Sequence, residues 1–230
     1  MQKDEKNKTM AAVAIVVALV IGMGGGYAIG NSMNDNNDDN MQTAAVSESS
    51  PRVDTKAAEL RVALDGALTS HIAYAVPALE AAFDGAPSLE GDLKTLDNNS
   101  VAIATAVDSV YPGTKDSFLE LWRNHIGFFA DYTKAAKAGD QAGMEKAKKN
   151  LEGYTDQAST FFSDANPNLP KEALQEGLTE HFNQVIAIVN AYGAGEYEKA
   201  GELQTKATAH MSMTAKILSS GIVKQSPDKF

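Results

Sequence analysis

Cysteine is absent from this 230-residue chain. Without thiols the protein forms no disulfide bond, thiolate zinc site or iron–sulfur cluster, and it lacks the C-x-x-C-H motif that attaches haem covalently. Tryptophan and histidine are scarce, with one and four residues respectively. No stretch alternates apolar and polar residues in the way that predicts a β-strand. The sequence therefore predicts a helical chain, and its four histidines are few enough to consider one by one.

The chain also has fewer basic than acidic residues. The chain has 20 Lys and Arg against 30 Asp and Glu, which gives a formal net charge of −10 at pH 7. A surface with this balance repels nucleic acid and anionic lipid. No basic stripe with interleaved aromatic residues offsets it, so we expect no nucleic-acid partner.

The first 30 residues form a separate segment. Three lysines precede an uncharged, largely apolar run over residues 10–30, which is long enough to cross a bilayer. The lysines place the N-terminus in the cytoplasm. The alternative is a signal peptide cut after Gly30, where Ala28 and Gly30 are the small residues that such a cut needs. We favour a signal anchor, and either way we expect the remaining chain to be extracytoplasmic: single-pass in the cell membrane, or secreted.

Two further regions follow. Residues 31–53 are rich in Asn, Asp and Ser and have almost no large apolar side chain, which predicts a disordered acidic linker. Residues 54–226 have apolar residues every three or four positions, a spacing typical of amphipathic helices. Breaks that contain Gly or Pro divide this region into six helices. We predict an all-α six-helix bundle of three tandem helical hairpins behind the N-terminal transmembrane or signal-anchor helix.

The four histidines share one register in the hairpins. Each hairpin has a polar residue 14 positions before its turn glycine and another 15 positions after it. These pairs are His71 with Ser100, His125 with Tyr154, and His181 with His210. Because a helix rises ~1.5 Å per residue, the two members of a pair lie at the same height. If the hairpins pack with their turns at one end, four imidazoles and a phenol form a polar layer across the bundle.

Such a layer predicts one of two roles. Neutral imidazole is the commonest side-chain metal ligand, and helical bundles build metal sites from inward-facing side chains. We therefore predict a copper or zinc site, with haem as the second choice. The predicted ligands are the histidines with two accessory residues: His71, His125, His181, His210, Tyr154 and Met213. The alternative is a structural or protein-interaction module of the cell envelope, in which the histidines are hydrogen-bonded core residues.

Motifs of common enzyme classes are missing. The chain has no Glu-x-x-His of di-iron bundles, no H-E-x-x-H of zinc proteases and no G-x-S-x-G of hydrolases. We therefore expect a protein that is not an enzyme and that handles or senses a metal ion. Its expected partners are the ion or an envelope protein, and it meets the membrane through its N-terminal helix.

A family resemblance rests on three blocks of sequence. They are LWRNHIGFFADYT at residues 121–133, ANPNLP at 165–170 and AHMSM at 209–213. The chain resembles uncharacterised exported bacterial helical-bundle proteins over nearly all of residues 55–230, and some of those carry a copper amine oxidase label. The quinone of that oxidase arises from a tyrosine after an asparagine, and no tyrosine here follows one. The resemblance therefore implies an exported or anchored bundle, with copper as a suggestion and without oxidase activity.

Overall fold

The computed structural model describes residues 53–230, and this part of the chain is almost entirely helical. The anchor or signal peptide predicted at 1–30, and the linker predicted at 31–53 except its last residue, lie outside the described residues. The helices are α1 (Lys56–Asp84), α2 (Leu89–Val110), α3 (Lys115–Ala138), α4 (Gln141–Ala165), α5 (Lys171–Gly193) and α6 (Tyr197–Gln225). A short 3-10 helix, Pro227–Lys229, follows. Residues 53–230 contain no strand, so the all-α prediction is confirmed.

The predicted hairpin turns lie where the glycines indicate. Gly139 ends α3 in the left-handed conformation, with φ 67°, which a residue with a side chain rarely adopts. The next amide, of Asp140, then bonds back to the carbonyl of Ala135 at 2.9 Å. The same bond joins Ala86 to Ala81 after α1 and Glu196 to Ala191 after α5. These bonds satisfy carbonyls that a helix end would otherwise leave unpaired, so each hairpin closes in the same way.

The six helices form a closed ring, and three of them also meet inside it. Each helix packs against the next in the chain and α6 packs against α1, while α1, α3 and α5 also contact one another. The hairpin turns meet at one end, because the Tyr192 hydroxyl on α5 donates to Asp84 on α1 at 2.6 Å. The Lys137 ammonium at the end of α3 lies 6.0 Å from the ring centroid of Phe83 on α1. Equivalent positions on α1, α3 and α5 therefore face each other inside the bundle.

The inner face of α6 differs from the prediction by about one residue. The sequence pattern assigns to it Leu203, Ala207, His210, Met213 and Ile217. The structure instead buries Ala207, Met211 and Ala215, and leaves Met213 63% exposed. Two alanines in this stripe let α6 approach α1 and α5 closely, whereas the long side chain of Met213 lies in solvent. The face that packs combines these alanines with the buried Met211, Leu218 and Ile222.

Among the described helices, α1 is long and apolar enough to cross a membrane, by length and composition alone. In the bundle its apolar residues belong to the core: Leu64, Leu68, Ile72 and Val76 are all buried. A core helix in contact with neighbours on several sides needs this composition. The membrane anchor at residues 10–30 stays a prediction.

Candidate metal centre

Three histidines meet in the centre of the bundle. His71 on α1, His125 on α3 and His181 on α5 are all buried, and one ring nitrogen of each lies within 4.8 Å of the other two. Each comes from an inner helix, at the same distance from its hairpin turn. The predicted common level is therefore confirmed for these three, which we call the histidine triad.

Two ring nitrogens of the triad are separated by a distance that suits two ligands of one metal ion. The Nε2 atoms of His71 and His125 are 3.5 Å apart. Since a metal–imidazole bond is about 2.0–2.1 Å, one ion between these atoms would have an N–metal–N angle of about 120°. The His181 nitrogen is at most 4.8 Å from each of the others. A movement of about 1 Å would bring it to the same bonding distance.

Burial keeps the triad neutral. It lowers the pKa of His71 to about 4, although the Asn99 side chain partly opposes the shift. It lowers the pKa of His181 to about 3, and His71 and His210 add to that fall. The pKa of His125 is also well below its usual value, because of burial first and then the neighbouring His71 and His181. Neutral imidazoles have free lone pairs, so no proton has to leave before a metal binds at pH 7.

Several polar atoms of this layer have no hydrogen-bond partner among the described residues. They are Nδ1 of all three triad histidines, Oδ1 of Asn99 and Nε1 of Trp122. The Asn99 side chain and the Trp122 backbone still lie near enough to raise the pKa of His71 and His125 as weak hydrogen-bond partners. Native proteins pair nearly all buried polar atoms, and an unpaired one costs ~1–3 kcal/mol. A layer of structural histidines should instead form a complete hydrogen-bond network. An ion held at the Nε2 atoms of His71 and His125 would leave their Nδ1 atoms unpaired too, so these atoms do not separate a metal site from the structural alternative.

Asn99 is a site residue that the sequence reasoning missed. Its Nδ2 donates to the Ala67 carbonyl of α1 at 3.0 Å, and its Oδ1 makes no hydrogen bond of ordinary geometry. Ala67 lies one helical turn before His71, and the Asn99 side chain acts on the pKa of that histidine. Metal-binding histidines usually donate their second N–H to such an oxygen. The only signal in the sequence was the position of Asn99 next to Ser100, whose hydroxyl merely donates to the Leu96 carbonyl at 2.9 Å.

Two aromatic rings form walls of the triad. Trp122 lies edge-on to His71 and His125, with ring centroids 4.9 and 4.8 Å apart. Tyr154 stacks on His125 at 4.6 Å, as its predicted level requires. Burial raises the pKa of Tyr154, so its phenol stays protonated at neutral pH. Tyr154 as a ligand stays a prediction, and its stacking and raised pKa favour a packing role.

The other two predicted ligands lie outside the triad. His210 is half-buried, and its Nε2 is 2.9 Å from the Gly177 carbonyl, an acceptor to which it can donate. Met213 points to solvent. Both are displaced by the shifted packing face of α6, which is an outer helix. The group of possible ligands is entirely imidazole and contains no carboxylate.

Comparison of the chain with protein-family models, with curated proteins and with solved structures gives no match.

Proposed function

We propose that the protein is a non-catalytic metal-binding protein that holds one copper ion, as copper(I), between His71, His125 and His181. Its role is to handle or sense the metal outside the cytoplasm, where the predicted anchor at residues 10–30 would place the bundle. The observation that carries the proposal is the convergence of three buried, neutral imidazoles, one from each hairpin.

Convergence from three hairpins supports a ligand rather than chance packing. The histidines are 54 and 56 residues apart in the chain, yet their nitrogens lie within 4.8 Å of one another. A bound ion links the three hairpins, so binding also stabilises the fold.

The donor set favours copper(I) over zinc. Imidazole suits both metals. No carboxylate belongs to the triad group, so a divalent ion would keep its full charge in an apolar core, which is costly. A monovalent ion halves that charge. Zinc is therefore the second choice.

The space beside the triad is too small for haem. The adjoining cavity has a volume of about 70 Å³. Small-molecule and cofactor sites usually have volumes of about 300–1,000 Å³. The haem considered from the sequence is therefore not part of the proposal.

Metal analysis of the full chain, purified in detergent, tests the proposal. After anaerobic loading with copper(I) and removal of excess, we expect one copper per chain and a higher melting temperature, since bound ligand adds ~2.7 kcal/mol at a hundredfold excess over Kd. The His71→Gln variant should lose the copper, whereas the His210→Gln control should keep it. Unsubstituted protein that stays free of copper, or equal loss in both variants, would refute the triad as the site.

A further inference from the structure

A second feature of the core, a cavity of about 70 Å³, lies directly beside the triad. Side chains from all six helices line it, including His125, His181 and Tyr154. His71 does not line this cavity, so the triad presents two of its rings to the open space and keeps the third behind them. The volume is several times the ~10–15 Å³ that one water needs.

The wall of this cavity is mainly apolar. Leu68, Ile103, Val107 and Leu218 are typical members, and all are buried core residues. Polar groups lie mostly on the triad side, and the Thr214 hydroxyl on the wall already donates to the His210 carbonyl at 3.1 Å. A water needs two to four polar partners, whereas apolar cavities stay dry and bind xenon or small hydrocarbons. The wall therefore selects for a weakly polar occupant.

We propose that this cavity is a binding site for a small, weakly polar molecule of the diatomic gas class, such as dioxygen, nitric oxide or carbon monoxide. The volume sets the size, because a cavity only several times the ~10–15 Å³ needed for one water has room for a few heavy atoms. A second part of the proposal rests on the proposed function. An ion held by three imidazoles would keep a fourth position open, and the cavity lined by His125 and His181 would be the space beside it.

A thin part of the wall gives this molecule a way in. Ala173 and Gly177 on α5 line both the cavity and an open groove on the outside of the bundle. Outside its chain neighbours and the backbone of its own helix, no atom of the described residues lies within 4 Å of the place where a Cβ of Gly177 would be, and across the seam here the His210 ring contacts the Gly177 carbonyl. Local opening of a helix seam needs far less free energy than global unfolding, so a diatomic molecule can pass between α5 and α6.

Xenon tests the cavity without any metal. The NMR signal of dissolved ¹²⁹Xe should show saturable binding to the metal-free full chain. The Val107→Phe variant, which fills the cavity, should bind xenon at least tenfold more weakly. The control is Val110→Phe, the same substitution one turn further along α2 at a residue that does not line the cavity, and it should bind xenon like the unsubstituted protein. Unsubstituted protein that binds no xenon, or a Val107→Phe variant that binds it normally, overturns the site.

Carbon monoxide tests the open position on the ion. Copper(I)-loaded protein under carbon monoxide should give one infrared C–O stretch that Val107→Phe removes and Val110→Phe keeps. Loaded protein without this stretch overturns the open position, even where xenon binds. Protein that takes up xenon but no copper refutes the proposed function and leaves the cavity site standing, so the two failures are distinguishable.

Discussion

His71 and His125 point their Nε2 atoms at each other across the centre of the bundle, 3.5 Å apart. Both are buried, and burial holds the pKa of each well below the usual value for histidine. Two neutral imidazoles at this distance have room for one weak N–H···N bond. A metal ion between them makes two strong bonds instead, and His181 is close enough to add a third.

Loss of one triad ligand should weaken copper binding sharply. We expect His125→Gln to reduce copper(I) affinity more than a hundredfold, or at least ~2.8 kcal/mol, because each tenfold step corresponds to ~1.4 kcal/mol. A competition titration against a coloured copper(I) chelator measures this change. His210→Gln should stay within threefold of the unsubstituted protein. A smaller effect for His125→Gln than for His210→Gln would move the site to α6.

Asn99 should act on the metal through His71. Its amide is held by the Ala67 carbonyl, and its free Oδ1 can accept the Nδ1–H of a metal-bound His71. We expect Asn99→Leu to lower copper affinity 10- to 100-fold, as for other residues that orient metal ligands. The exposed neighbour provides the control, since Asn98→Leu should leave the affinity unchanged in the same titration. Equal affinities in the two variants would remove Asn99 from the site.

Trp122 makes the site visible in solution. It is the only tryptophan of the chain, and its ring centroid lies within 5 Å of those of His71 and His125. Copper bound at the triad should quench its fluorescence strongly and saturate at one ion per chain. Zinc, which quenches weakly, serves as the comparison. Copper uptake that leaves the fluorescence unchanged would place the ion far from Trp122.

Acid should destabilise the metal-free protein. Above pH 6.5 the buried histidines are neutral in both the folded and unfolded states, so their full contribution to stability is present. As the pH falls below 6.5, these histidines become protonated in the unfolded chain but stay neutral in the folded core, so stability declines. The decline ends when the pH reaches the folded pKa values, about 4 for His71 and about 3 for His181. One such histidine costs about 2 kcal/mol at pH 5.

Urea unfolding at pH 7.5 and pH 5 measures this loss. Carboxyl groups also titrate as the pH falls, so the comparison that isolates the imidazole is between the unsubstituted protein and His181→Gln, which takes up no proton at that position. The variant should lose about 2 kcal/mol less between the two pH values. Identical losses would show that His181 is protonated in the native state.

The meeting of the triad could be predicted from sequence because it depends on local quantities. The rise of a helix and the positions of Gly85, Gly139 and Gly195 set the height of each histidine. Once the hairpin turns lie at one end, residues at equal distances from them have to meet on the inner helices. The all-α class and the turns follow from equally local patterns of apolar residues and glycine.

The error at His210 and Met213 has a different origin. Residues spaced by three and four define both possible faces of α6, and only packing against α1 and α5 selects the face with Ala207 and Ala215. Contacts between helices also decide that Asn99 anchors to Ala67. Such relationships join residues far apart in the chain, and local periodicity does not encode them.

The coordination of copper in the loaded protein tests the central claim most directly. X-ray absorption at the copper edge of the full chain should show three nitrogen ligands at about 2.0 Å with the scattering pattern of imidazole, and no sulfur at about 2.3 Å. Binding at His71, His125 and His181 alone predicts this result, and a sulfur shell would instead point to Met211, which is buried and lines the cavity beside His125 and His181. A sulfur shell, fewer than two imidazoles, or protein that emerges free of copper would contradict it.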